Sequence, residues 1–386
     1  MIDNGSQSPR HPIGVLIIED SATIRRFLED LMARDPRLRV LAAVESAEEG
    51  LEVLDRLRPD VISLDIRLPG MNGFEFTKRV MAKRPVPIVV CSASVESADL
   101  RITMNALRAG ALSVVEKPVG TTHEDYGALA ERLCTQLILM SQVRVVRQWN
   151  PRVEPRWEVR ISEGNGKAPQ SRATSSPALI GIVASTGGPN ALAVVLGSLP
   201  STYSIPILVV QHITASFSDG FIEWLGSVCP IPVLKAVTGQ TPEPGRVYVA
   251  PAEKHLYVER SNLRVDTGPP VCMQCPSGST LLHSMASSLG ARAAGVVLTG
   301  MGEDGADGLL AVRLAGGPTI AEHRSTAVVY GMPGAAEKRG AASELLPLHA
   351  IGPRLREFTA LPMEVNHERS SPDSPGRGLA HAGLAT

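Results

Sequence analysis

Between residues 13 and 140, short β-branched apolar runs alternate with stretches in which apolar residues recur every third or fourth position. The runs are IGVLII (13–18), RVLAAV (39–44), DVISL (60–64), PIVVC (87–91) and ALSVV (111–115). Between the first two, Ile24, Phe27, Leu28, Leu31 and Met32 mark one face of a helix. The last helix of this block is expected from about Glu124 towards Val146. Five successive βα units predict a parallel sheet covered on both sides by helices. From Arg147 to Pro177 periodicity is lost among proline, glycine, serine and arginine, as in a flexible and mildly basic linker in which Trp149 and Trp157 stand out. The alternation returns from Ala178 to about Arg356, with strands expected at ALIGIVA (178–184), PILVV (206–210), RVYVA (246–250) and AGVVL (294–298). This second block is expected to be a doubly wound α/β domain. The stretch after Leu361 is poor in large apolar residues and reads as a disordered tail. The expected division is an N-terminal tail (1–12), a first domain (13–140), a linker (141–177), a second domain (178–360) and a C-terminal tail (361–386).

Composition narrows the function classes. At 386 residues and 44% hydrophobic, the chain can build two ordinary cores. A net charge of −1 and 4% aromatic residues give no support to nucleic-acid binding. No apolar run reaches the length of a membrane span, and the polar start MIDNGSQSPRHP lacks the apolar centre of a signal peptide. Five sparse cysteines (Cys91, Cys134, Cys229, Cys272, Cys275) do not form a disulfide framework. Cys272 and Cys275 form a C-x-x-C with no second pair or histidine at metal spacing, and are expected to be ordinary thiols. These features predict a soluble cytoplasmic protein without membrane insertion.

In open α/β sheets, functional groups collect beyond the carboxyl ends of the strands. In the first block these ends carry Glu19 and Asp20, then Asp65, then Ser92, then Lys117. Singly, an Asp or Ser there is an ordinary helix cap. Together, three carboxylates call for a hard divalent cation such as Mg2+, held by Glu19, Asp20 and Asp65. Asp65 would then accept a phosphoryl group, with Lys117 balancing its charge and Ser92 donating a hydrogen bond to it.

In the second block the strand ALIGIVA runs straight into Ser185-Thr186-Gly187-Gly188-Pro189, a tight turn that opens a helix. Free backbone N–H groups at such a turn can hold an oxyanion. The sequence is not the G-x-S-x-G elbow, and it lacks the lysine and spacing of a phosphate-binding loop. The strand PILVV ends in Gln211-His212, and AGVVL leads into TGMGEDGADG with Asp304. A nucleophile, a base and an orienting carboxylate would thus stand on three strand ends. His255, His283, His323 and His349 compete for the role of base, and Asp307 competes with Asp304.

Two resemblances extend this reading. The stretches IIEDS, SLDIRLPGMNG, CSAS and EKP resemble a response-regulator receiver domain. The resemblance implies Asp65 as the phosphorylated aspartate, Glu19 and Asp20 as its acidic pair, and Ser92 and Lys117 as the switch residues. It also implies a chemotaxis-type histidine kinase as phosphodonor. Val114 stands where receivers commonly carry an aromatic switch residue. The stretches IGIVASTGGPNAL, VVQHITASF, YVAPAEKHL, VLTGMGEDGADG and VVYGMP resemble the catalytic domain of chemotaxis protein-glutamate methylesterases. That family implies Ser185 as nucleophile, His212 as base, Asp304 as orienter, and support of the oxyanion from around Thr186 and Met301. It implies methyl-accepting chemoreceptors as substrates, deamidation of glutamine as a second activity, and no cofactor for hydrolysis. One loop departs: CMQCPSGSTLLHS puts Ser279 where the family carries an aspartate, so substrate contacts there are expected to differ. The alternative is a catalytically silent binding module tethered to a receiver.

Overall fold

The structure is a computed structural model that describes residues 11–92, 97–118, 123–143, 145 and 176–359. The C-terminal tail, residues 1–10 of the N-terminal tail, and nearly all of the linker with Trp149 and Trp157 lie outside the described residues.

The first sheet contains β1 (Ile13–Ile18), β2 (Leu38–Val44), β3 (Val61–Leu64), β4 (Ile88–Ser92) and β5 (Ser113–Glu116). The strand order is β2-β1-β3-β4-β5, and every pairing is parallel. The intervening helices are α1 (Ala22–Ala33), α2 (Ala47–Leu57), α3 (Gly73–Lys83), α4 (Ser97–Arg108) and α5 (His123–Ser141). Helix α1 starts where the Ser21 hydroxyl accepts from the Ile24 N–H, and it buries Leu28 and Met32 from the expected stripe. Strands β1 and β3 are wholly buried, as runs covered by helices on both faces must be. Helix α5 ends at Ser141, short of the expected Val146.

The second sheet has seven strands: β6 (Leu179–Ala184), β7 (Ile207–Gln211), β8 (Val233–Lys235), β9 (Val247–Val249), β12 (Ala293–Val297), β13 (Thr319–Glu322) and β14 (Glu344–Leu346). Strands β10 (His255–Glu259) and β11 (Asn262–Asp266) form a separate antiparallel hairpin. The helices are α6 (Gly188–Gly197), α7 (Ala215–Val228), α8 (Gly278–Leu289), α9 (Ala306–Leu314), α10 (Met332–Lys338) and α11 (Leu348–Phe358). The order is β14-β13-β12-β6-β7-β9-β8, again all parallel. The chain begins in the middle, at β6, builds outward through β7, and later returns to the other side of β6 with β12. Helices on both faces and this reversal make the sheet doubly wound, and the reversal opens a crevice beyond the ends of β12, β6 and β7.

The two sheets do not stand apart. Helix α4 packs against α6 and α7. The Trp224 indole N–H on α7 donates to Asn105 Oδ1 on α4 at 3.2 Å. Ile102 and Val114 from the first sheet's side join an apolar cluster that also contains Phe221 and Trp224.

Candidate functional site

Three neighbouring strands end side by side in the crevice, and the backbone ladder continues past them. The Ser185 N–H donates to the Thr299 carbonyl at 3.0 Å, and the His212 N–H donates to the Ala184 carbonyl at 3.1 Å. Ser185 therefore sits one residue beyond β6, between Thr299 beyond β12 and His212 beyond β7. Bare backbone is needed here. A Cβ on Gly300 would come within 2.7 Å of the Ser185 Cβ, and Gly187 has a φ of +76°, a left-handed turn natural to glycine.

The His212 Nε2 lies 2.9 Å from Asp304 Oδ2. Asp304 is buried at the amino end of α8. Its Oδ1 accepts from the Ser277 hydroxyl at 2.7 Å and the Ser279 N–H at 3.0 Å, and its Oδ2 also accepts from the Gly278 N–H at 2.6 Å. Burial alone would raise its pKa. The hydrogen bond of His212 and, when the imidazole is protonated, its charge, with the Ser277 and Ser279 donors, outweigh it and hold the carboxyl at about 2. An acceptor-only carboxylate fixes the tautomer: Nε2 carries the proton, and the lone pair is on Nδ1. That Nδ1 is buried and has no hydrogen-bond partner.

Several residues here carried no role in the sequence reading. Gln211 is the last residue of β7, and its Nε2 donates to the carbonyls of both Ser185 (2.9 Å) and His212 (3.0 Å). One amide thus ties the serine turn to the histidine. Its only sequence signal is a polar residue closing a buried apolar strand. Ser277 caps α8 and supports Asp304. Among the competing histidines, His255 is buried and braces this cap: its Nδ1 accepts from the Ser277 N–H and its Nε2 donates to the Pro269 carbonyl. His283 and His349 are exposed, and His323 pairs with Ser325. Asp307 is exposed and paired with Arg339. Ser279 faces inward, its hydroxyl accepting from the Gly305 N–H at 2.8 Å, so it supports the Asp304 loop. Met301 is exposed in the same loop, and the Thr186 carbonyl accepts from the Thr299 hydroxyl. Cys272 and Cys275 are both free.

In the first domain, Lys117 Nζ lies 2.7 Å from Glu19 Oε2 and 2.8 Å from Asp65 Oδ2. All three side chains are buried, whereas Asp20 is exposed. The Lys117 N–H donates to the Ser92 carbonyl, which joins the ends of β4 and β5. Burial pushes the Glu19 and Asp65 carboxyls up, against the opposing pull of Lys117. Oxygens of Glu19, Asp20 and Asp65 lie within 4.8 Å of one another, which suits a small hard cation.

The fold is that of two parallel-sheet α/β domains, each with polar side chains gathered beyond the carboxyl edge of its sheet. Residues 180–355 match the CheB methylesterase family, and residues 15–124 match the response regulator receiver domain. Over 352 residues the chain is 50% identical to protein-glutamate methylesterase/protein-glutamine glutaminase 2 of Paramagnetospirillum magneticum, covering 90% of this chain and 98% of that one. It is 42% identical to a protein of the same description from Syntrophus aciditrophicus, covering 88% and 96%. The CheB methylesterase catalytic domain of Thermotoga maritima is similar at 33% identity, covering 47% of this chain and 99% of that one, with a TM-score of 0.46. The chain belongs to the protein-glutamate methylesterase/protein-glutamine glutaminase family.

Proposed function

We propose that this chain demethylates glutamate methyl esters, and deamidates glutamines, on chemoreceptors, with Ser185, His212 and Asp304 as its catalytic triad. The observation that carries this reading is the buried His212–Asp304 pair on the strand end next to the Ser185 turn, with His212 Nδ1 left without a hydrogen-bond partner. Ser185 Oγ attacks the ester carbonyl carbon while His212 Nδ1 takes its proton. Backbone N–H groups of Thr186 and Met301 stabilise the oxyanion. The imidazolium, steadied by Asp304, returns the proton to the departing methoxide, and methanol leaves. Water, deprotonated by His212, then attacks the acyl-enzyme and releases glutamate and the serine hydroxyl. A glutamine side chain follows the same course with ammonia as the leaving group. The test is methanol release from methylated receptor membranes; none from the wild-type protein would favour the silent binding module instead.

The receiver supplies the control. Mg2+ fits the oxygens of Glu19, Asp20 and Asp65, and a bound Mg2+ would neutralise the phosphoryl group and the carboxylates around it. Asp65 takes the phosphoryl group from a chemotaxis-type histidine kinase, and Ser92 and Lys117 sense it. What supports control of access is the packing of α4 on α6 and α7, because those two helices begin directly after the Ser185 and His212 turns. Phosphorylation that loosens this contact frees the crevice. A phosphodonor with Mg2+ is expected to raise methanol release about 5- to 150-fold, the range of a 1–3 kcal/mol coupling. Asp65→Asn should stay at the resting rate, and a chain beginning near Ala178 should exceed it without phosphodonor. Equal rates for the truncated and unphosphorylated full-length proteins would make the receiver a targeting device instead.

A further inference from the structure

Behind the nucleophile turn lies a carboxyl group that the mechanism does not use. Glu322 ends β13, next to β12, and is fully buried. Its Oε2 accepts from the Thr299 N–H at 2.8 Å, while its Oε1 is buried with no hydrogen-bond partner. Thr299 is the residue on which the nucleophile turn rests. Its carbonyl accepts from the Ser185 N–H at 3.0 Å, and its hydroxyl donates to the Thr186 carbonyl at 2.9 Å. The Val329 N–H donates in turn to that hydroxyl at 2.9 Å. One carboxyl group therefore holds, through a single residue, both the nucleophile and the neighbour assigned to the oxyanion.

We propose that Glu322 is a positioning residue for Ser185 that works in its neutral, protonated form, and that its ionisation loosens the nucleophile turn and limits activity on the alkaline side. The proposal rests on the reading of Ser185 as nucleophile. A neutral carboxyl group accepts from Thr299 without burying a charge, whereas an ionised one would bury a charge that only the Thr299 N–H and the Thr326 hydroxyl stabilise.

Among the described residues no cation is paired with Glu322. The elements packed against β13 are β12, β14, α9, α10 and α11. Strand β12 carries no ionisable residue, and Glu344 on β14 is paired with Arg354 of α11. On α9, Asp307 pairs with Arg339 and Arg313 bonds backbone carbonyls. On α10, Glu337 bonds Tyr330, and Lys338 forms no ion pair among the described residues. On α11, His349 is exposed, Arg356 bonds the Ser198 carbonyl and Glu357 pairs with Arg354. Along the chain, His323 bonds Ser325 and Arg324 lies over the Tyr330 ring. Accordingly, burial raises the Glu322 pKa to about 7, with only the Thr299 N–H and the Thr326 hydroxyl opposing it.

The neutral form is favoured in the folded protein, so the stability from this group is complete below the unfolded value of 4.5. It is lost as pH rises through about 7. Glu322→Gln keeps the shape and the acceptor but cannot ionise. Its thermal midpoint should therefore gain on the wild type between pH 5 and about 7, and the gain should level off above. Its kcat for methanol release should stay flat where the wild-type kcat falls above pH 7. Glu322→Leu, which removes the acceptor, should lower kcat about tenfold or more at pH 6.5 with KM little changed, the cost of a buried N–H left unpaired. A folded Glu322→Leu with wild-type kcat would overturn the positioning role. A midpoint difference between Glu322→Gln and wild type that ignores pH, or alkaline limbs that coincide in the two, would overturn the neutral-form proposal. A wild type that releases no methanol counts against the functional reading, and the midpoint comparison still decides the ionisation of Glu322.

Discussion

Ser185→Ala should lose at least about 10⁴-fold in methanol release and yet melt like the wild type. The rate falls because Ser185 is the hydroxyl that directly follows β6, between His212 and Thr299. The residual activity would come from the oxyanion donors and binding alone. The fold should be unaffected because the stabilising contacts of residue 185 are made by its backbone. Its N–H donates to the Thr299 carbonyl, and its carbonyl accepts from Gln211 Nε2 and the Gly188 N–H. Alanine preserves all three. A fluorophosphonate probe should label the wild type at Ser185 and leave the variant unlabelled. Substantial turnover by a folded Ser185→Ala would remove Ser185 from the mechanism.

Where a strand is long and buried on both faces, its sequence announces it. IGVLII coincides with β1, and ALIGIVA with β6 to within a residue. Since the carboxyl ends of these strands are also where chemistry collects, Glu19, Asp65, Ser185 and His212 were legible from the same pattern. Strands β8, β13 and β14 were not, nor was the β10–β11 hairpin. Three of these strands have only three or four residues, and VLK, TIAE and ELL are too short to show a period. Their pairing comes from sheet edges already in place, a tertiary cause with no local signature.

The supporting groups of the site are hidden for a related reason. Asp304 and Ser277 are far apart in the chain, and nothing local to either says that α8 will direct its amino end at the carboxylate. Ser279 reads as a lost acidic substrate contact until its neighbours appear, whereupon its N–H and hydroxyl are both committed to the Asp304 loop. Gln211 and Glu322 each look like the ordinary polar end of a strand. Their meaning lies in carbonyl and N–H groups contributed by other strands. What the sequence could show was which polar groups close the strands; what orients them is written in contacts between distant segments.

Asp304→Asn tests that orientation, and the expected loss in kcat is on the order of 10³–10⁴-fold with KM little changed. The four groups around Asp304 are the Ser277 hydroxyl, the Gly278 and Ser279 N–H groups and His212 Nε2, and the carboxylate accepts from all of them. An amide must direct its NH2 at one side of this ring of donors. With NH2 at the Oδ2 position it opposes the Gly278 N–H and obliges Nε2 to accept. The imidazole proton then moves to Nδ1, and the lone pair that the proposed base needs is lost. With NH2 at the Oδ1 position it opposes the Ser279 N–H and pulls the start of α8 out of line. Either orientation leaves a buried donor unpaired, so the thermal midpoint should also fall. The wild-type carboxyl, held at about 2, contributes stability that is complete above its ordinary value of 3.8 and is lost only as pH falls through about 2. The deficit of the variant should therefore be constant across pH 6–8, where the assay is run. Fluorophosphonate labelling of Ser185 should slow in parallel with kcat, because both need the Nδ1 base. A variant within tenfold of the wild-type kcat would mean that His212 finds its tautomer without Asp304, and the third member of the triad would have to be withdrawn.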